Sequence, residues 1–279
     1  MNAAPAVTVV LRVDGLSMEE VSDRLAVAGI APDGLSEERG VTSIWFDAQP
    51  ADGSVETAVD HPCTWEEVRR ADWAEEWKKG LEPVTVGRVT ILPPWLAPDG
   101  PVLPDPSSGD PIVLVIEPGM AFGTGHHETT TACLRLLQQE DLHGRRVIDI
   151  GTGTGVLALA ARAMGARSVS AVDNDPEATT VAAANLAAHP LDGIELALGS
   201  CADAGDPGDV VVANIITDKL LALVPDLVEL VVPGGTLIAS GIALDRVEEA
   251  ASVLAGVGID TTAHRGREWA ALVGQRPSA

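Results

Sequence analysis

The sequence predicts an α/β fold, in which an open and mostly parallel sheet has helices on both faces and follows a small α+β unit. Three observations support this prediction. From residue 112 onward, short apolar runs alternate with helical patterns, as they do in consecutive βα units. Residues 209–216 form a near-continuous apolar run, which is typical of a strand buried on both faces of a parallel sheet. Residues 1–58 instead read as strand, helix and strand, a unit too short to be a stable domain alone.

The N-terminal unit, residues 1–58, begins with β-rich residues and ends in a polar, turn-prone boundary at 49–54. Ser17 and Glu20 have the spacing of a capping box, which predicts a helix start, and Gly29 supplies its stop. The predicted elements are a strand at 7–13, a helix at 17–28 and a strand at 41–46.

Residues 59–98 are predicted to link this unit to the next domain and to contain a charged helix at 65–79. The helix carries Trp65, Trp73 and Trp77, of which the last two share one face at i,i+4 spacing. We expect these rings to pack between the two domains, and the alternative is that they stack on a substrate.

Residues 99–279 are predicted to form the second domain, and an irregular Pro- and Asp-rich surface loop at 93–111 overlaps its start. Two final strands flank a turn at 265–267 and predict an antiparallel edge to the sheet. The predicted strands are 112–116, 145–150, 168–173, 194–198, 209–216, 236–240, 258–264 and 269–274, and the predicted helices are 130–139, 155–164, 176–189, 218–230 and 245–255.

Composition excludes several classes of protein. The chain has 279 residues, 46% of them apolar, and a formal net charge of −23 from 18 Lys and Arg against 41 Asp and Glu. The apolar share and the clear patterning argue against disorder, and three scattered cysteines indicate a reducing, cytoplasmic setting rather than a disulfide scaffold. We expect no membrane span and no secretory signal. The charge argues against direct nucleic-acid binding and suits a basic protein partner, although it would also serve solubility alone.

A glycine-rich loop follows the strand predicted at 145–150. Gly151, Gly153 and Gly155 have G-x-G-x-G spacing, and Val156 stands where the dinucleotide fingerprint has its third glycine. Glycines let the backbone turn tightly and let a ligand approach without meeting a Cβ. After an acidic strand, this spacing resembles motif I of the class I S-adenosylmethionine (SAM) methyltransferases.

Asp173 ends the next predicted strand, 22 residues after Gly151. A carboxylate at this point can accept both ribose hydroxyls and would exclude a 2′-phosphate. The loop and Asp173 together predict a nucleoside site. Asp149 either orients the loop or the methionine end of the ligand, or is a buried structural carboxylate.

The segment 117–131 lies between a predicted strand and a predicted helix and is rich in glycine, threonine and histidine. We expect it to cover the cofactor as a lid, with Phe122 and Gly123 among the cofactor contacts. Thr129 or Thr130 is also expected to cap the helix.

No metal site is predicted. His126, His127 and Glu128 are consecutive and do not have the spacing of metal ligands on a helix, and no cluster of cysteine or histidine elsewhere completes a coordination shell.

Asn214 lies near the carboxyl end of the apolar strand predicted at 209–216, at the edge where open α/β sheets bind ligands. In amino-methyltransferases this position often reads Asn/Asp-Pro-Pro-aromatic, and its side chain and the next carbonyl hold the target nitrogen. Here Asn214 is present, and Ile215, Ile216 and Thr217 replace the rest of the motif.

These motifs together resemble the ribosomal protein L11 methyltransferase family over nearly the whole chain. The most specific match is Phe-Gly-Thr-Gly-x-His-x-Thr-Thr at 122–130. Many members read Thr-His-Pro where this chain has His-His-Glu at 126–128, and Gly-Cys-Gly where it has Gly-Thr-Gly at 151–153. The other matches are Glu117-Pro-Gly-Met-Ala, the Gly151 loop, Asp173, Val212-Ala-Asn214, the segment 233–242 and Glu268-Trp269.

The resemblance implies a ferredoxin-like substrate-recognition domain at 1–58, joined by a mobile linker to a Rossmann-like catalytic domain. It also implies that lysine side chains and the α-amino group of a basic large-subunit ribosomal protein are methylated. The residues expected to bind SAM through it are Thr130, Gly151, Gly153, Asp173 and Asn214.

Methyl transfer from a sulfonium requires alignment of nitrogen, methyl carbon and sulfur, and an amine that has lost its proton. We expect Asn214 to position the amine and the proton to pass to water before binding, with His126 or His127 as an alternative relay. Two other functions stay open: methylation of another protein lysine or small amine, and a nucleoside-binding regulator without catalysis. Asn214 and the complete lid argue against the regulator.

Overall fold

The computed structural model describes residues 7–278, apart from residues 29, 31, 33, 39, 47–48, 51–52, 70–81, 98, 118–122 and 124. The chain divides into two compact units, Met1–Leu81 and Glu82–Ala279. Across the described ranges, no helix is both long enough and apolar enough to span a membrane.

The first unit has the order β-α-β-β-α-β, and its antiparallel sheet has the strand order β2-β3-β1-β4. This is a ferredoxin-like topology, as the family resemblance implies. The capping box is confirmed, since Ser17 and Glu20 exchange backbone-to-side-chain hydrogen bonds of 2.9 and 3.3 Å. The elements are β1 (Val7–Asp14), α1 (Met18–Val27), β2 (Gly34–Glu38), β3 (Val41–Phe46), α2 (Ser54–Val59) and β4 (Cys63–Arg69).

The helix predicted at 65–79 is wrong over 65–69, because these residues belong to β4 and pair with β1. The Trp65 indole donates to the Glu56 carboxylate, and its ring lies 5.7 Å from that of Phe46, inside the first unit. The unit therefore continues beyond residue 58, since its sheet needs β4. Trp73 and Trp77 lie outside the described residues.

The second unit begins with a small sheet, two of whose three strands precede residue 99. Its strands have the order β5-β6-β7, with β5 antiparallel and β7 parallel to β6. The strand predicted at 112–116 is present, but it belongs to this sheet and not to the large parallel one. Residues 93–111 form two short 3-10 turns and are otherwise mostly irregular, as predicted. The strands are β5 (Val84–Val86), β6 (Val89–Leu92) and β7 (Ile112–Val115).

The larger sheet of the second unit, in its described residues, has the strand order β10-β9-β8-β11-β12-β14-β13. The first five strands are parallel, and β14 runs antiparallel to both of its neighbours, so the predicted antiparallel edge is confirmed. The strands are β8 (Arg146–Ile150), β9 (Ser168–Asp173), β10 (Ile194–Leu198), β11 (Gly208–Asn214), β12 (Val231–Ala243), β13 (Thr261–Arg265) and β14 (Trp269–Gln275). The helices are α3 (Glu128–Leu137), α4 (Val156–Ala163), α5 (Pro176–Ala187), α6 (Thr217–Leu230) and α7 (Val247–Gly256).

Alternating residues of these strands build a core on each face of the sheet. Val147 and Val210 pack on the face that α3 and α4 cover, whereas Ile148 and Val211 pack with α6 and α7 on the other. Because both faces are buried, the central strands are mainly apolar before their carboxyl ends, with Asp149 and Ser170 as buried polar exceptions. The polar residues that these strands carry at their carboxyl ends therefore stand out against the apolar core.

Candidate active site

The parallel strands of the large sheet end at a cavity of about 530 Å³. Its wall includes Gly151 after β8, Asp173 at the end of β9, Gly199 after β10 and Asn214 at the end of β11. Open α/β sheets bind ligands at this edge, and the volume is in the range of small-molecule sites.

The structure brings together the residues that the sequence singled out after three separate strands. Gly151, Gly153, Asp173 and Asn214 all line the cavity. Thr130 is fully buried and contacts Asn214, as described below. Phe122 lies outside the described residues.

Asp173 holds the glycine loop in position. Its Oδ2 accepts the backbone N–H of Gly153 at 2.9 Å, and its Oδ1 accepts that of Asp175 at 3.0 Å. An ionised carboxylate has about four lone-pair sites, so both oxygens keep acceptor capacity for further donors. The residues present therefore fit a ligand that carries two neighbouring hydroxyls.

The loop after β8 requires glycine for two reasons. Gly151 has φ +74° and Gly153 has φ +56°, which is the left-handed region that other residues rarely adopt. A Cβ on Gly151 would also collide with the side chain of Ile215, the first residue after β11. Part of the need for glycine at 151 is thus close packing between two loops of the site.

Asp149 is buried beneath this loop. Thr152 donates its hydroxyl to Oδ2 at 2.7 Å, whereas Oδ1 has no hydrogen-bond partner among the described residues. Burial, together with the nearby negative charge of Asp173, raises the pKa of Asp149 to about 7, although the hydrogen bond from Thr152 lowers it. Asp149 therefore orients the loop through Thr152, and the folded chain favours its neutral form.

We expect Asp149→Asn to stabilise the protein above neutral pH. Because the pKa of Asp149 is higher in the folded than in the unfolded chain, its protonated carboxyl contributes fully to the free energy of unfolding below about pH 4. This contribution is lost as the pH rises to about 7. The buried amide keeps a polar cost of its own, so the net gain at pH 8 should be about 1–2 kcal/mol. Denaturant unfolding at pH 8 and pH 4.5 measures it.

The control for this prediction is Asp110→Asn, which changes an exposed carboxylate in the loop before β7. An Asp149→Asn gain of equal size at both pH values would contradict the raised pKa.

His127 caps α3, so the prediction that Thr129 or Thr130 caps it is wrong. The Thr129 backbone N–H donates to His127 Nδ1 at 3.4 Å, and the same nitrogen lies 2.8 Å from Thr129 Oγ1. Both threonines instead lie inside the first turn. Thr130 Oγ1 accepts a hydrogen bond from Asn214 Nδ2 at 3.3 Å.

A chain of hydrogen bonds, which the sequence did not predict, connects Glu117 and Gly123 to Thr154 in the glycine loop and to Asn185 on α5. Thr154 donates its hydroxyl to the Gly123 carbonyl at 2.7 Å, and the Asn185 amide donates to the Thr154 carbonyl at 2.9 Å. Asn185 Oδ1 in turn accepts the Glu117 N–H at 2.9 Å. The only sequence signal was an Asn on the buried side of α5, and its partners are distant in the chain.

Further cavity residues were also missed, and only some had a signal. Gly199 and Ser200 follow the strand predicted at 194–198, so their place at the carboxyl edge of the sheet could have been inferred. Lys219 and Leu223 lie on α6 without any such motif.

A model of the ribosomal protein L11 methyltransferase (PrmA) family matches residues 18–277 of this chain. The chain belongs to that family. The ribosomal protein L11 methyltransferase of Deinococcus radiodurans is 38% identical over 260 residues, which cover 86% of this chain and 89% of the relative. That of Thermus thermophilus is 37% identical over 227 residues, covering 81% and 82%. The crystal structure of the ribosomal protein L11 methylase from Lactobacillus delbrueckii subsp. bulgaricus is similar with a TM-score of 0.62 and 30% identity, and covers 71% of this chain and 100% of its own.

The protein is thus a SAM-dependent methyltransferase with a class I methyltransferase fold. The cavity fits the cofactor by chemistry as well as by size. Asp173 keeps acceptor capacity for the ribose hydroxyls, and the glycine loop exposes backbone at the same wall.

Proposed function

We propose that this methyltransferase transfers methyl groups from SAM to lysine side chains and to the α-amino group of ribosomal protein L11, with Asn214 positioning the accepting nitrogen. One observation carries the proposal. Asp173 and Asn214 end the two strands on either side of β8 and border one cavity, so a nucleoside site and an amide group face the same space.

Asn214 is oriented for this role by Thr130. Since Asn214 Nδ2 donates to Thr130 Oγ1, the amide oxygen is left to accept a hydrogen from the substrate amine. When bound, SAM supplies the electrophilic methyl group. The contribution of Asn214 is alignment, which is worth several kcal/mol when reacting atoms are held in line.

The amine must be neutral to react, and the cavity favours that form. Ile150, Val172, Ile215 and Leu223 line it with apolar groups, which disfavour an ammonium ion. A free lysine has a pKa of about 10.4 and a free α-amine has a pKa of about 7.7–8.0. Loss of the lysine proton therefore depends more strongly on these apolar surroundings. His126 Nε2 already lies 2.9 Å from the Glu82 carbonyl and His127 Nδ1 is engaged with Thr129, which supports proton loss to water.

The first unit is proposed to recognise the protein substrate, with its boundary at Leu81 rather than 58. A ferredoxin-like fold alone does not assign a function, so this step rests on family membership. The net charge of −23 adds a physical reason, because a basic protein would be attracted and its encounter rate raised. Direct nucleic-acid binding is not part of the proposal.

Incubation with labelled SAM and purified L11, followed by mass spectrometry, tests the function. We expect label on lysine side chains and on the α-amine. In a mixed ribosomal protein fraction, label on another protein instead would identify a different substrate. SAM binding without transfer to any protein would indicate a regulator.

Asp173→Ala is expected to weaken SAM binding by about 1.5–3 kcal/mol, roughly 10- to 150-fold, since it removes charge-assisted hydrogen bonds. Titration calorimetry measures the affinity, and methylation should recover at high SAM concentration. Asp110→Ala, a change at an exposed loop position, is the matched control. Equal SAM affinity in the Asp173 variant would remove this residue from the site.

A further inference from the structure

Glu128 binds a turn that is distant in sequence. It is the first residue of α3, and its carboxylate accepts the backbone N–H groups of Arg267 at 3.0 Å, of Glu268 at 2.8 Å and of Trp269. Arg267 and Glu268 lie in the turn between β13 and β14, and Trp269 is the first residue of β14. Successive N–H groups that converge on one anion form a nest, which is a strong and directional anchor.

The carboxylate is ionised in this arrangement. Burial by itself would raise the pKa of Glu128, but the N–H groups of Glu268, Arg267 and Trp269 outweigh it and hold the pKa below its ordinary value. Gly266 completes the anchor, because a Cβ there would lie 2.9 Å from the Trp269 carbonyl oxygen and 3.0 Å from Glu128 Oε2. The turn has room only for glycine at that point.

The anchor borders the active site. His127, which precedes Glu128, and Trp269 both line the cavity, and their rings meet edge to face at 5.7 Å. Trp269 and Thr129 also line a second cavity of about 590 Å³, so these residues form the wall between the two cavities. Glu128 accepts a hydrogen bond from the backbone of Trp269, which forms one side of this wall. It also belongs to α3, the helix that carries Thr129 on the other side.

We propose that Glu128 is a positioning residue for methyl transfer: it fixes Trp269 against His127, and so sets the shape of the wall past which the substrate amine enters the cavity. The inference rests on the proposed function for the identity of the substrate. It concerns Glu128 alone, because among the described residues no other carboxylate accepts the backbone N–H groups of Arg267, Glu268 and Trp269.

The test compares Glu128→Ala and Glu128→Gln with Glu177→Ala. Glu177 is the matched control, since it is an exposed glutamate in the first turn of α5. We measure kcat and KM for L11, Kd for SAM, the thermal midpoint and the indole N–H resonance of Trp269, which a Trp269→Phe variant assigns.

For Glu128→Ala we expect kcat/KM for L11 to fall roughly 10- to 100-fold, as for a displaced active-site group, with Kd for SAM changed less than about threefold. The Trp269 resonance should move. Glu128→Gln keeps an acceptor oxygen, so it should recover part of kcat/KM. Glu177→Ala should match the wild type in every measurement.

Two results would overturn the proposal. One is normal kcat/KM and an unmoved Trp269 resonance in Glu128→Ala. The other is a loss of activity that matches the loss of folded protein, with unchanged kcat/KM per folded molecule, since Glu128 would then be structural only. The wild-type reaction in the same assay reports on the proposed function separately, and the Trp269 resonance does not depend on activity.

Discussion

Asn214→Ala is expected to lower kcat for methylation of L11 by roughly 100- to 1,000-fold, which is the usual cost of removing one group that acts on the reacting atoms. In the proposed mechanism the amide orients the amine through Oδ1 while Thr130 holds Nδ2, and alanine cannot replace that contact. Kd for SAM should change less than about tenfold, because Asp173 and the glycine loop are unaltered. Single-turnover methylation at saturating SAM, together with calorimetry, measures both quantities.

Thr130→Val is the companion variant, because it keeps the shape of the side chain and removes the hydroxyl that holds Asn214 Nδ2. We expect an intermediate loss in kcat of about tenfold, since the amide remains but is free to rotate. If Asn214→Ala retains the wild-type kcat, the proposed positioning of the amine is wrong, whatever the Thr130 variant does.

Removal of residues 1–81 is expected to reduce methylation of intact L11 by at least roughly 100-fold while leaving SAM binding unchanged. Linking a recognition module to a reaction site raises the local concentration of the substrate by such factors. The cut at 81/82 follows the division of the chain into two units and leaves β5 and the small sheet intact. Radiolabel transfer and calorimetry on residues 82–279 measure the two effects.

A short peptide with a free α-amine provides the control, because residues 82–279 and the full chain should methylate it at similar rates. The shortened protein must first show a cooperative thermal transition. If it is folded and methylates intact L11 as fast as the full chain, the division of labour between the two units is wrong. The attraction of L11 to the full chain should also weaken as salt increases.

Most of the catalytic fold was predictable because its signals are local. Consecutive βα units bury their strands on both faces, so these strands are visible as mainly apolar runs. Gly151 follows β8, whereas Asp173 and Asn214 end β9 and β11, and the parallel order of the sheet brings all three to one edge. These three residues of the cavity wall could therefore be identified from the sequence alone.

The tertiary structure decided whatever depended on a distant partner. Residues 65–69 are charged and read as helix, but pairing with β1 makes them a strand, and residues 112–115 join β6 instead of the large sheet. His127 caps α3, because its ring accepts a hydrogen bond at the helix N-terminus and also packs edge to face with the ring of Trp269. Glu128 lies 139 to 141 residues before the three backbone N–H groups at 267–269 that it binds. By itself the sequence determined which residues stand at the carboxyl ends of β8, β9 and β11, since apolar runs and the glycine or polar residues that end them are local signals. Hydrogen bonds between remote segments, which form only when the chain has folded, decided how those residues are held.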